Sequence, residues 1–118
     1  MQSKSNENWK VGTHYLCAKT ALNVAASRLY YGMFQAVLAW AREKRGYSGE
    51  KGVHEFMERL VLTEGDKRAE YGPAFAELRS HRETADYTPE TPAFDELQEV
   101  YSTCDEMRLY YLRLAMEK

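Results

Sequence analysis

The longest periodic pattern in the chain runs from Ala21 to Arg45. Leu22, Ala25, Ala26, Leu29, Met33, Ala36, Val37 and Trp40 recur at spacings of three and four, the period of one helix face. Tyr30, Phe34, Leu38 and Ala41 make a second apolar row beside the first. The polar stripe left over, Arg28, Tyr31, Gln35 and Arg42, is narrow. A helix that is apolar around most of its girth packs against several neighbours, so this one is predicted to be the centre of a bundle. Gly46-Tyr47-Ser48-Gly49, with Gly52 just beyond, breaks the pattern. Val53, Phe56, Met57 and Leu60 then mark one face of a shorter helix. It stops at Thr63-Glu64-Gly65-Asp66, with Gly65 placed as a C-cap glycine. Pro73 suits the first turn of the next helix, whose ladder is Phe75, Leu78, Arg82 and Ala85, and Asp86-Tyr87-Thr88-Pro89 ends it. Thr91 and Pro92 are predicted as the N-cap and first residue of the last helix, with the stripe Phe94, Leu97, Tyr101, Cys104, Met107, Tyr111 and Leu114. At the other end the chain is polar up to Asn8, and a short helix is predicted over Trp9–Ala18, weakened by Gly12. No window alternates with the period of a strand. The predicted architecture is all-α: an up-and-down bundle of about five helices with short connections.

Length and composition narrow the class. With 118 residues, the chain is predicted to be one domain, 1–118, with its core over residues 9–117. Hydrophobic residues at 44% and charged residues at 29% describe an ordinary globular protein rather than a disordered one. Sixteen basic and eighteen acidic residues leave a net charge of -2, which excludes a strongly basic nucleic-acid coat but not a local basic patch. The first residues lack the apolar core of a signal peptide, and no run is long enough to span a membrane. Cys17 and Cys104 lie far apart among apolar residues, which predicts two buried thiols in a reducing cytoplasm. His54-Glu55 is not followed by a second histidine at HExxH spacing, and no Glu-x-x-His pair occurs. Neither a metal site nor a cofactor is predicted.

The segment Glu77 to Tyr87 holds most of the candidate chemistry. Arg82 sits on an otherwise apolar ladder, and Asp86, four residues on, meets it on the same helix face. Arginine before the acid is the weaker orientation, and an acid in the last turn opposes the helix dipole, so a tertiary partner is expected to hold Asp86. Two alternatives follow. Arg82 and Asp86 form a partly buried ion pair that locks this helix to the central one, through Arg28 or a tyrosine hydroxyl. Or Arg79 and Arg82 line an exposed cleft that takes a phosphate. Arg28 and Tyr31 on the central helix form a second cluster, suited to binding a phosphate and stacking a base, or to capping the core at the rim.

Together these segments resemble the HEPN-domain family. Asn23-Val24-Ala25-Ala26-Ser27-Arg28-Leu29-Tyr30-Tyr31-Gly32-Met33-Phe34-Gln35-Ala36-Val37 is similar to its signature helix: an arginine, two tyrosines, a small residue and a phenylalanine, in that order. Gly52-Val53-His54-Glu55-Phe56 is similar to the family's third-helix segment. Leu78-Arg79 and Arg82-Glu83-Thr84-Ala85-Asp86-Tyr87 resemble its arginine-then-Asp-Tyr element. The resemblance spans about residues 16–115. It implies a helical bundle, often a homodimer, in a prokaryotic cytoplasm, paired with a minimal nucleotidyltransferase in a toxin–antitoxin-type system. Active members are metal-independent ribonucleases that use an arginine and a histidine with four to six residues between them on a late helix. This chain departs from that spacing. No histidine follows Arg79 or Arg82 at that distance, His81 is two after Arg79, and the fifth residue after Arg82 is Tyr87.

In-line cleavage of RNA needs a group to take the 2′-hydroxyl proton and groups to stabilise the phosphorane. Arginine suits the second task and histidine the first. The expected function is therefore a module that binds a nucleotide, an RNA or a nucleotidyltransferase through a cleft lined by Arg28, Tyr31, Arg79, Arg82 and Tyr87. One alternative is a ribonuclease with a rewired site, in which Arg82 holds the phosphate and His81, Asp86 or Tyr87 moves the proton. The other is a structural helical interaction protein whose ion pair serves the fold alone.

Overall fold

The computed structural model describes residues 2–49, 51–65 and 67–117. Five helices follow one another: α1 (Gln2–Cys17), α2 (Leu22–Arg45), α3 (Val53–Thr63), α4 (Arg68–Tyr87) and α5 (Phe94–Met116). The fold is an all-α bundle, with no strand among the described residues. α2 touches all four other helices and is buried along nearly its whole girth, from Ala25 and Ala26 to Trp40 and Ala41. Each large side chain it buries, such as Leu29, Met33 or Val37, contributes about 1.5–3 kcal/mol. At 24 residues, α2 is about 36 Å long and spans most of the 39 Å long axis of the molecule.

α1 begins well before Trp9. Its first two turns are polar, and polar contacts to other helices hold them rather than an apolar stripe. Ser5 is fully buried and donates to the Gly32 carbonyl at 2.7 Å, while Asn8 donates to Gln35 and accepts from Arg28. Gly12 and Gly32 let α1 and α2 approach closely. A Cβ on Gly12 would come within 2.7 Å of Leu29 Cγ, and one on Gly32 within 3.0 Å of the Trp9 backbone nitrogen. Gly12, a weak helix residue by propensity, is there for packing.

Helix starts shift for physical reasons. α4 begins at Arg68, so Pro73 lies inside the helix rather than in its first turn. Its missing N–H frees the Ala69 carbonyl, and Ala69 is exposed, so water can satisfy it. α5 begins at Phe94 behind Ala93, two residues after the predicted start, and Pro92 is buried in the extended approach. Gly65 does take the left-handed conformation just past α3 (φ 87°). Phe56 is 41% exposed, stacked on Tyr47, and Val61 takes its place in the α3 stripe. Cys104 is buried against the Ala74 carbonyl, but Cys17 is exposed, because the buried edge of α1 ends at Leu16.

Neighbours alternate in direction at α1–α2, α3–α4 and α4–α5. α3 does not start where α2 ends. His54, at the start of α3, then lies against Tyr30 and Phe34 in the middle of α2, and Glu64, just past its end, meets Arg45 at the end of α2. These two helices therefore run parallel, and that start places a histidine beside the tyrosine pair.

Candidate functional site

The ladder of α4 puts Arg82 on the buried face, where only 8% of it remains exposed. A guanidinium in that position needs partners for its N–H groups. Arg82 Nε donates to Asp86 Oδ2 at 2.9 Å. Nη2 donates to the Tyr31 hydroxyl at 2.7 Å and to the Tyr87 hydroxyl at 3.1 Å. The guanidinium carbon also lies 5.1–5.5 Å from the ring centres of Tyr30, Tyr31 and Tyr87, within cation–π range. Burial works against the charge on Arg82. The tyrosine oxygens and the Asp86 carboxylate outweigh it, and the side chain is held more firmly protonated than in water.

The predicted partner for Asp86 exists. Its carboxylate accepts from Arg82 and, at 3.4 Å, from Ser27 on α2. The ion pair thus bridges α4 to α2 through a tyrosine hydroxyl and a serine, not through Arg28. Arg28 is exposed and donates to Asn8 on α1 at 2.9 Å. With Asn23, Val24, Ser27 and Asp86 it lines a concavity of about 210 Å³. Tyr87, beside that concavity, is 70% exposed.

The five residues predicted to line one cleft do not all meet. Tyr31, Arg82 and Tyr87 form one cluster, and Arg28 flanks it across Asp86. Arg79 turns toward α3 instead, with Glu58 at 3.6 Å and Glu83 at 3.5 Å. Three residues back on a helix is a rotation of about 60°, enough to change neighbours. His81 is also apart. It faces α5, with Glu96 at 3.8 Å and Glu77 at 3.8 Å, because adjacent residues on a helix point about 100° apart. It is not available to Arg82.

Another histidine is. His54 Nδ1 lies 2.7 Å from the hydroxyl of Tyr30, and the imidazole stacks on Phe34 at 4.3 Å, edge-on to Tyr31 at 5.8 Å. Tyr30 is fully buried, and burial pushes its hydroxyl well above the usual tyrosine range, so it stays protonated. His54 is held below its usual pKa, first by desolvation and then by the Arg82 and Arg79 guanidiniums. It is neutral at pH 7, with one ring nitrogen engaged by Tyr30. Its segment, Gly52 to Phe56, carries a family resemblance, but no local spacing ties it to the tyrosine pair. The signal is spatial, since it requires knowing that α3 starts beside the middle of α2.

A second buried arginine, Arg108 on α5, is also 8% exposed. It donates to Asn6 and Asp105 and lies 5.2 Å over Trp9. It ties the polar first turns of α1 to α5. Among the described residues, no group of three or more His, Cys, Asp or Glu side chains is placed to hold a metal ion, and no helix is long and apolar enough to cross a membrane. No family model matches the chain, and comparison with curated proteins and with solved structures found no match.

Proposed function

We propose that the chain is a HEPN-like module of a toxin–antitoxin-type system that binds RNA or a nucleotide at the Arg82 face. One observation carries this reading: a single guanidinium nitrogen, Arg82 Nη2, donates to the hydroxyls of both Tyr31 and Tyr87. It fixes the ring of Tyr87, otherwise exposed, beside a cation. A fixed aromatic ring is a stacking platform, and stacking contributes about 1–3 kcal/mol per base. Arg28, across the Asp86 concavity, supplies an exposed phosphate contact. Asp86 adds an acceptor for a ribose hydroxyl, a contact that distinguishes RNA from DNA. Arg82 acts here as a positioning residue. A nucleotidyltransferase partner and a homodimer belong to the same proposal and rest on the family resemblance. A dimer would double the phosphate contacts.

The test is fluorescence anisotropy with a labelled single-stranded RNA. Tyr87→Ala and Arg28→Gln are each expected to weaken binding about tenfold with the fold retained, because both side chains are exposed. A wild-type protein that binds neither RNA nor AMP, or two variants that bind like the wild type, would sink the proposal.

The Tyr30–His54 hydrogen bond favours a second reading, a metal-independent ribonuclease with a rewired site. The proton carrier would then be His54, which lies in the arginine's field, and not His81, which faces α5. In that case total RNA is cleaved without metal by the wild type and by His81→Asn, but not by His54→Asn. Equal cleavage by all three, or none by the wild type, removes this reading.

A further inference from the structure

The last turns of α5 carry apolar side chains that the bundle leaves uncovered. Leu109 is 53% exposed and Met116 65%, and with Tyr87 they are the most exposed large apolar residues described. Seven residues apart, they share one helix face. A concavity of about 510 Å³ runs along one flank of that face, between Asn6 of α1 and Leu109, Leu112 and Met116 of α5. Another, of about 450 Å³, opens on the other flank, between Tyr71 of α4 and Glu106, Leu109 and Tyr110 of α5. Leu109 and Arg113 line both, so this face is a ridge between two grooves. Ridges and grooves of this kind are the relief through which helices pack on one another, and a row of exposed apolar side chains on such a ridge marks an interaction surface.

The charges on the ridge select the partner. Glu106 and Arg113 are exposed and stand on either side of Leu109, and among the described residues neither forms an ion pair. The Arg113 guanidinium carbon lies 5.6 Å from the Tyr110 ring centre, a contact that takes none of its N–H donors. In an isologous contact, residue i of one copy meets residue j of the other, and j meets i. Two antiparallel copies of α5, with the two-fold axis between Leu109 and Tyr110, therefore set Glu106 against Arg113 twice. The same register sets Glu117 against the exposed Ser102, so no acid on the ridge opposes another acid. Leu109 lies beside the axis, next to its own copy. A parallel pair in register would instead oppose Glu106 to Glu106 and Arg113 to Arg113.

We propose that the ridge of Glu106, Leu109, Arg113 and Met116 is a self-association surface, on which a second copy of this chain packs its own α5 antiparallel. Leu109 of each copy sits over the groove lined by Asn6, Leu112 and Met116 of the other, and two Glu106–Arg113 pairs close the ends of the contact. Tyr110 packs on Tyr71 and Cys104 against the Ala74 carbonyl, whereas His81 faces Glu96, so the ridge lies beside the start of α4. Arg82, toward the other end of α4, stays uncovered. The inference gives a surface to the homodimer of the proposed reading, and it rests on α5 and not on the Arg82 face.

The experiment is sedimentation equilibrium of the full chain at about 10–500 µM, the range in which a small interface of this kind assembles. The wild type is expected to form dimers. Glu106→Arg and Arg113→Glu each set like charges across the two-fold axis and are expected to weaken the dimer about tenfold or more. Their equimolar mixture restores both opposite-charge pairs and is expected to dimerise like the wild type. Leu109→Gln is expected to weaken the dimer about tenfold through lost apolar burial. All three side chains are exposed, so the variants are expected to keep the wild-type circular dichroism. The proposal fails if the wild type stays monomeric over that range, or if any of the three variants dimerises like the wild type. It also fails if the mixture of charge variants stays monomeric. Anisotropy with the labelled RNA keeps the two readings apart: a dimer that binds no RNA sinks the Arg82 reading alone, and a monomer that binds RNA sinks this one alone.

Discussion

Arg82 has three partners on two helices, so its removal costs stability whatever the face binds. Arg82→Ala leaves the Tyr31 hydroxyl and the Asp86 carboxylate with one fewer partner and is expected to lower unfolding free energy by about 2 kcal/mol in urea denaturation. Arg82→Lys should recover little of it, because an ammonium lacks the planar fork that reaches a carboxylate and two hydroxyls together. Activity lost in Arg82 variants is therefore a poor test of function, and the exposed Tyr87 and Arg28 are better ones. His54 makes a separate prediction. Its folded pKa is depressed from 6.5, so near and below that value the unfolded chain binds more protons than the folded one. Its contribution to stability is complete above about pH 6.5 and is lost as pH falls toward the lower folded pKa. Denaturation midpoints measured across that range should fall on acidification in the wild type and flatten in His54→Gln. An unchanged slope in the variant would show that the imidazole does not titrate as its surroundings imply.

At the scale of elements, the α1–α2 crossing depends on small residues more than on propensity. In an isolated helix, Gly12→Ala would gain about 1 kcal/mol. Here the added methyl would sit 2.9 Å from the Leu29 backbone nitrogen, which cannot move without shifting α2. Overpacking of that kind costs about 1–3 kcal/mol, so the variant is expected to unfold at lower urea than the wild type. A higher midpoint would mean that the helices separate without penalty. The same crossing explains why a polar segment folds as helix. The first turns of α1 bury little apolar surface. Ser5, Asn6 and Asn8 instead place hydrogen bonds on α2 and α5, bonds that exist only once those helices are in place.

For the molecule as a whole, a net charge of -2 limits long-range attraction to a polyanion. If RNA binds through Arg28 with Arg82 behind it, about two phosphates are neutralised, and log K should fall with log salt at a slope of about -1.4. A slope several times steeper, measured by anisotropy from low to physiological salt, would point to a larger basic surface than the Arg82 face provides.

The chain's periodicity determined five helices, the central place of α2 and the α4 ladder that carries Arg82. Those properties follow from which residues share a helix face, and helical geometry settles that locally. It also determined the Arg82–Asp86 pair, because four residues is one helical turn. Only the tertiary structure decided the rest. Helix ends moved where tertiary hydrogen bonds or a tolerated proline outweighed local signals, as at Gln2–Asn8 and Pro73. Arg79 and His81 left the site because small rotations around α4 gave them different neighbours. His54 joined it because α3 starts beside the middle of α2, and no local spacing encodes where the next helix begins. The partners of Arg108 were likewise decided between helices, where contact depends on how faces meet and not on the order of residues along one of them.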